Sequence, residues 1–175
     1  MGAYTEIYFL YANEDKEDKK MRERLEKQLA PLVRQGITIW YPDKVLPGGD
    51  TQSEINAHLA RAHVILLLIS DSFISSPECS QEVERAMERH EASEARVLPI
   101  LLRPVNWESA SFGKLAPLPA NKEFITLWQN QDAAFLNIME GIRRVVEVIQ
   151  GEKQDSDDAS LIEKRDLYEI LVRLN

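Results

Sequence analysis

A chain of 175 residues accommodates one domain of about 150 residues plus an appendage. Its 44% hydrophobic and 29% charged residues describe a soluble globular composition, and the net charge of −8 argues against nucleic acid as a main partner. The longest apolar run, Val64 to Ile69, is far too short to span a bilayer. A single cysteine rules out an intramolecular disulfide and makes a reducing cytoplasm the expected compartment.

The opening "MGAYTE" lacks the basic and apolar regions of a signal peptide, and Glu6 stands where myristoylation of Gly2 would want Ser or Thr. No membrane association is expected. "EIYFLYA" (6–12) then reads as a first strand. From 16 to 35, Met21, Leu25, Leu29, Leu32 and Val33 recur at the spacing of a one-sided helix, which Gly36 ends. "ITIWY" (37–41) is a second strand, and "PDKVLPGGD" (42–50) a loop. Asp50 or Thr51 can cap a helix reaching about Ala62.

"VILLLIS" (64–70) shows no alternation, as expected of a central parallel strand buried on both faces. A helix follows to about Ala92, then a fourth buried strand, "RVLPILL" (96–102). After a long proline-rich loop, "EFITL" (123–127) reads as a short fifth strand, and 131–150 as an amphipathic helix. The acidic "GEKQDSDDAS" (151–160) reads as a linker, and 161–175 as a further amphipathic helix, with Ser160 and Glu163 offering a capping box. The appendage could dock on the domain, pair with another chain, or open a further module.

Strands alternating with helices predict an α/β fold: a doubly wound parallel sheet of five strands in the flavodoxin-like order 2-1-3-4-5, with helices on both faces. Ligands of such sheets bind beyond the carboxyl ends of the strands, near the switch point between strands 1 and 3. Tyr11 to Asp15, Asp43 to Asp50 and Asp71 to Ser76 converge there, with the start of the helix after strand 3.

That helix contains "SSPECSQEVERAM" (75–87). At about 100° per residue, Cys79, Val83, Ala86, Met87 and His90 share one face, and Glu82 lies roughly 80° from its centre. On spacing alone Glu82 is either a solvated rim residue favoured by the helix dipole or a carboxylate turned toward the ligand end. Cys79 reads as a small buried hydrophobe, because no paired histidine is evident. His58, His63 and His90 lack metal-ligand spacing, so no metal site is expected. "PGGD" is not a phosphate loop. A receiver-type phosphoacceptor would need a Lys ending strand 5 and a hydroxyl ending strand 4, and neither is there. Trp107 reads as a cover for the end of the sheet, or alternatively as a ring for the site.

Three stretches in order, "FLYANED", "WYPDKVLPGGD" and "LLLISDSFISSPECSQEV", resemble a bacterial-type TIR (Toll/interleukin-1 receptor) domain across about residues 4 to 150. The most specific element is the run Ser70, Phe73, Ser76, Cys79 and Glu82, each three residues after the last. The resemblance implies a domain over 1–150 that cleaves NAD as substrate, without a cofactor, and acts in signalling or immunity. It implies Glu82 as the catalytic carboxylate, with Tyr11, Ala12, Asn13, Asp43 and Cys79 at the nucleotide. It also implies self-association with other TIR domains through Leu46, Pro47, Gly48 and Gly49. The product would be ADP-ribose or a cyclised form. The alternative is a TIR adaptor that assembles without catalysis.

The chain departs from the family pattern in two places. Glu78 stands where an aromatic residue is common before the cysteine. Asn13, Glu14 and Asp15 follow strand 1 where some enzymatic members carry basic residues, leaving backbone N–H groups or Lys16 to meet a pyrophosphate.

Overall fold

The computed structural model of the protein describes residues 4–174; Gly2, weighed above as an acylation site, and Asn175 lie outside the described residues. Four parallel strands form one sheet in the order β2-β1-β3-β4: β1 (Thr5–Leu10), β2 (Ile37–Trp40), β3 (Val64–Ile69) and β4 (Arg96–Leu101). Ile7 of β1 faces Ile39 on one side and Val64 on the other, so the switch point falls between β1 and β3. β1 and β3 are buried along their whole length, which is why neither shows alternating polarity.

Helices cover both faces. Helices α1 (Lys16–Gln28), α2 (Ala30–Arg34) and α6 (Gln131–Leu174) pack on one, where Ile7, Phe9, Leu25, Leu66, Phe135 and Ile138 meet. Helices α3 (Thr51–Arg61), α4 (Asp71–Ser75) and α5 (Pro77–Glu91) cover the other, around Tyr8, Leu10, Ile65, Leu67, Val83 and Ala86. Trp107 and Phe112 of the proline-rich loop are buried in this second layer and extend its cover, the role expected of Trp107.

Polar side chains start these helices. Asp15 accepts from the Glu17 and Asp18 N–H groups, Asp50 from Ser53, Ser70 from Phe73 and Ser76 from Cys79. Each satisfies an amide with no partner inside its helix. Pro77, first in α5, loses nothing by lacking an N–H there.

Three expectations are corrected. The single helix expected over 16–35 is two, divided at Leu29, because Pro31 cannot donate to the turn before it. The fifth strand expected at 123–127 is absent; Ile125–Leu127 is a 3-10 turn. Leu118 instead lies beside β4, its N–H donating to Pro99 O and its carbonyl accepting from Leu101, both at 2.8 Å. Pro117 and Pro119 flank it, so the ladder has no donor with which to continue. Finally, residues 151–160 are helical: α6 runs unbroken for 44 residues. Glu152, Lys153, Gln154 and Ala159 there are good helix formers though the segment lacks a core to pack on, and Gln154 reaches Asp158 one turn on.

Candidate functional site

A cavity of about 480 Å³ opens at the carboxyl ends of β1 and β3. Its floor is Phe9 to Asp15, the end of β1 and the turn into α1. One wall is Pro42, Gln52 and Ile55, and the other is Ser72, Ser75, Ser76, Glu78, Cys79 and Glu82 from α4 and α5. The volume lies within the range of small-molecule sites.

Glu82 lines this cavity, half-buried. The Tyr8 hydroxyl donates to its Oε1. Tyr8 is fully buried in β1, its ring 5.4 Å from that of Trp40. Burial holds the Glu82 carboxyl above the ordinary carboxylate range, with the Glu78 charge adding to the rise; the Tyr8 hydrogen bond and the Arg85 charge pull the other way. Burial and the Glu82 charge in turn push the Tyr8 phenol upward, so it stays a donor. The result is a positioned carboxylate with one oxygen engaged from below.

Tyr8 was not legible as a functional residue, though a signal existed. A tyrosine inside an apolar strand needs an acceptor for its hydroxyl, and strand alternation puts Tyr8 on the face that α5 covers.

Tyr11, Ala12, Asn13 and Cys79 also line the cavity. Burial, despite a hydrogen bond to Ser76, pushes the Cys79 thiol up to about 11, so it is not a ready nucleophile. Asp43 falls outside the lining: its Oδ2 accepts from the Tyr11 hydroxyl at 2.8 Å and faces Lys19 at 3.4 Å. Asp43 thus orients Tyr11 from behind. Lys16 is absent from the lining too.

Leu46 to Gly49 stand away from the cavity in a tight turn, in which the Gly49 N–H donates to Leu46 O at 2.9 Å. Gly48 has φ +86°, a conformation side chains resist, and a Cβ on Gly49 would come within 3.0 Å of Leu46 O and 2.9 Å of Glu54 Oε2. Leu46 itself is 76% exposed at the tip.

Behind the floor, the acidic turn after β1 is tied to β4. Arg103 donates to Asp18 Oδ1 at 2.9 Å and to Asp15 Oδ2 at 2.8 Å, while Ser70 donates to Asp18 and Ser72 to Asp15. Against the upward pull of burial, Ser72, the Asp18 N–H and Arg103 hold Asp15 low. Asp18 is fully buried and its carboxyl stays raised. This clamp brings the ends of β1, β3 and β4 together and offsets the charge of Asp15. Glu14, Glu78 and Glu82 remain on the lining, which includes no Lys or Arg.

The family model described as "TIR domain" matches residues 7–139. A protein of Sinorhizobium fredii (strain NBRC 101917 / NGR234), called y4lF and uncharacterized, is 41% identical over 139 residues, covering 78% of this chain. The chain spans 42% of the length of that curated relative. Among solved structures, the TIR domain of the Toll-related receptor TRR-2 of Hydra magnipapillata is similar at a TM-score of 0.52 and 19% identity, covering 78% of this chain and 97% of that one. The TIR domains of the activated Roq1 resistosome, which directly recognizes the pathogen effector XopQ, are similar at a TM-score of 0.45 and 22% identity, over 56% and 57% of the two chains.

Proposed function

This chain belongs to the TIR domain family, and we propose that it is an NAD glycohydrolase in which Glu82 is the catalytic carboxylate. The observation that carries the reading is Glu82 itself, a carboxylate on the wall of a nucleotide-sized cavity, oriented by a buried tyrosine. The nicotinamide ring leaves a cationic glycoside as a neutral pyridine, taking the electron pair of the C–N bond, so no general acid is needed. Ordinary glycosides need two carboxyls. The site has only to stabilise the positive charge that grows on the ribose, and a fixed carboxylate in a desolvated wall does so. Water then attacks the anomeric carbon and releases a proton, giving ADP-ribose; an internal nucleophile would give the cyclic product.

In this reading Tyr11, Ala12, Asn13 and Cys79 form the bed for the nucleotide, with Asp43 orienting Tyr11. Backbone N–H groups meet the pyrophosphate. The Leu46–Gly49 turn joins one copy to the next, and activity rises with assembly. Cytoplasmic NAD is the expected pool; among the described residues no helix is long and apolar enough to cross a membrane.

A second reading, a non-catalytic adaptor, draws support from the same cavity. Its lining bears Glu14, Glu78 and Glu82 without a basic residue, an unfavourable field for a pyrophosphate. The two readings separate in one assay, nicotinamide release from NAD at high protein concentration. The enzyme reading expects turnover by the wild type and a loss of about 100-fold or more in Glu82→Gln. A wild type that assembles and releases no nicotinamide leaves the adaptor.

A further inference from the structure

A second cavity, of about 610 Å³, lies at the opposite end of the sheet, where β3 and β4 begin and α6 passes over them. His63, His90, Arg96, Glu152 and Lys153 stand on its wall. Both imidazoles are locked in one tautomer. His63 Nδ1 accepts the Glu6 N–H at 3.0 Å, and His90 Nδ1 accepts the Val97 N–H at 3.1 Å. A neutral imidazole so engaged carries its proton on Nε2. Each ring therefore offers an N–H donor at Nε2 and no lone pair, which suits an oxyanion and not a metal ion. Protonation would also require Nδ1 to give up its backbone donor. Burial, with Lys153 and Arg89 near His63 and Arg96 and Lys114 near His90, holds both rings below the usual histidine range, against smaller upward pulls from Glu6 and Glu91.

Two cations complete the set. Lys153 lines the cavity, and its ammonium is held beside it, donating to Tyr4 O at 2.7 Å and to Thr5 Oγ1 at 3.5 Å. Arg96 is half-exposed and paired loosely with Glu152 at 3.6 Å. Glu94, the other acid on the wall, faces Arg89 at 3.7 Å. Two imidazole donors, an ammonium and a guanidinium are four donor groups, which suit the three terminal oxygens of a phosphate ester, each able to accept more than one hydrogen bond, better than the two of a carboxylate.

We propose that this cavity binds a small phosphorylated molecule between His63, His90 and Arg96 of the sheet end and Lys153 of α6, with Glu152 as the internal group that its phosphate displaces from Arg96. The ligand bridges the domain and the root of the projecting helix. The proposal is independent of Glu82 and of NAD cleavage.

The test is an NMR titration of the full chain with inorganic phosphate and, separately, AMP, reading the ring protons of His63 and His90. Saturable shifts of both rings are expected with either probe, and tighter binding of AMP would assign the remaining volume to the rest of the ligand. His63→Asn and His90→Asn keep an acceptor for the backbone N–H while removing Nε2, and each should weaken binding about tenfold. Glu152→Gln should tighten it by about threefold or more, a gain that misfolding cannot produce. The site is overturned if neither ring shifts saturably in the wild type, or if the Asn variants and Glu152→Gln all bind as the wild type does.

Discussion

Glu82 and Tyr8 form a pair whose two members pull on each other's protons. A carboxyl raised by burial favours the fold when protonated. That contribution is fully present below its unfolded value and is lost as pH rises through the folded one. Ionised Glu82 therefore costs stability at neutral pH, and Glu82→Gln, besides losing turnover, should melt higher than the wild type at pH 7.5. The difference should vanish in acid, as differential scanning calorimetry at both pH values would show. Tyr8→Phe removes a hydrogen bond that lowers the Glu82 value, so its folded pKa climbs further. In the proposed enzyme the acid limb of kcat/KM for nicotinamide release should then move to higher pH; a limb that stays in place, or moves down, would show that Tyr8 does not tune Glu82. At this scale the chain was partly readable in advance. Helical angle alone brought Glu82 near the inner face of α5. Its partner lies 74 residues away, and no local pattern encodes which buried tyrosine meets which glutamate.

Among the elements, the turn before α3 and the clamp behind the floor make separable predictions. Leu46 is exposed and touches no core. If the proposed assembly runs through this turn, Leu46→Asp should leave the melting temperature unchanged while abolishing concentration-dependent self-association, measured by sedimentation velocity, and lowering the proposed turnover in parallel. Arg103→Met is different in kind. It leaves the fully buried Asp18 carboxylate without its cation, and losing one partner of such a pair costs about 3 kcal/mol. Urea unfolding would measure it, and a loss well below 1 kcal/mol would mean that Ser70 and solvent suffice. The four strands of the sheet were legible from apolar runs and the start of α3 from Asp50. The fifth strand was not, because "EFITL" has strand composition but no neighbour to pair with. The proline-flanked Leu118 already occupies the flank of β4. The clamp was hidden for a similar reason, since Arg103 sits 88 residues after Asp15.

Over the whole molecule, the domain and its last helix differ in how they are held. Through Ile149 the inner face of α6 is buried against the sheet, whereas from Asp155 to Leu174 every residue is exposed. Removing residues 157–175 should therefore leave the melting temperature of the domain within about 1 °C, while the far-ultraviolet helix signal falls in proportion to the residues lost. A drop of several degrees would mean that the distal turns brace the domain. The parallel sheet and its two helical layers followed from the alternation of elements. The unbroken helix did not, because acidity signals solvation, and a solvated segment can be helical as readily as irregular when glycine and proline are scarce. A helix of 44 residues extends about 66 Å, and about 30 Å of it stands clear of the body. Such a rod acts as a lever arm. A tilt of about ten degrees at Lys153 swings its tip by about 5 Å, so sub-ångström rearrangements where the rod is rooted become displacements of several ångströms at its tip.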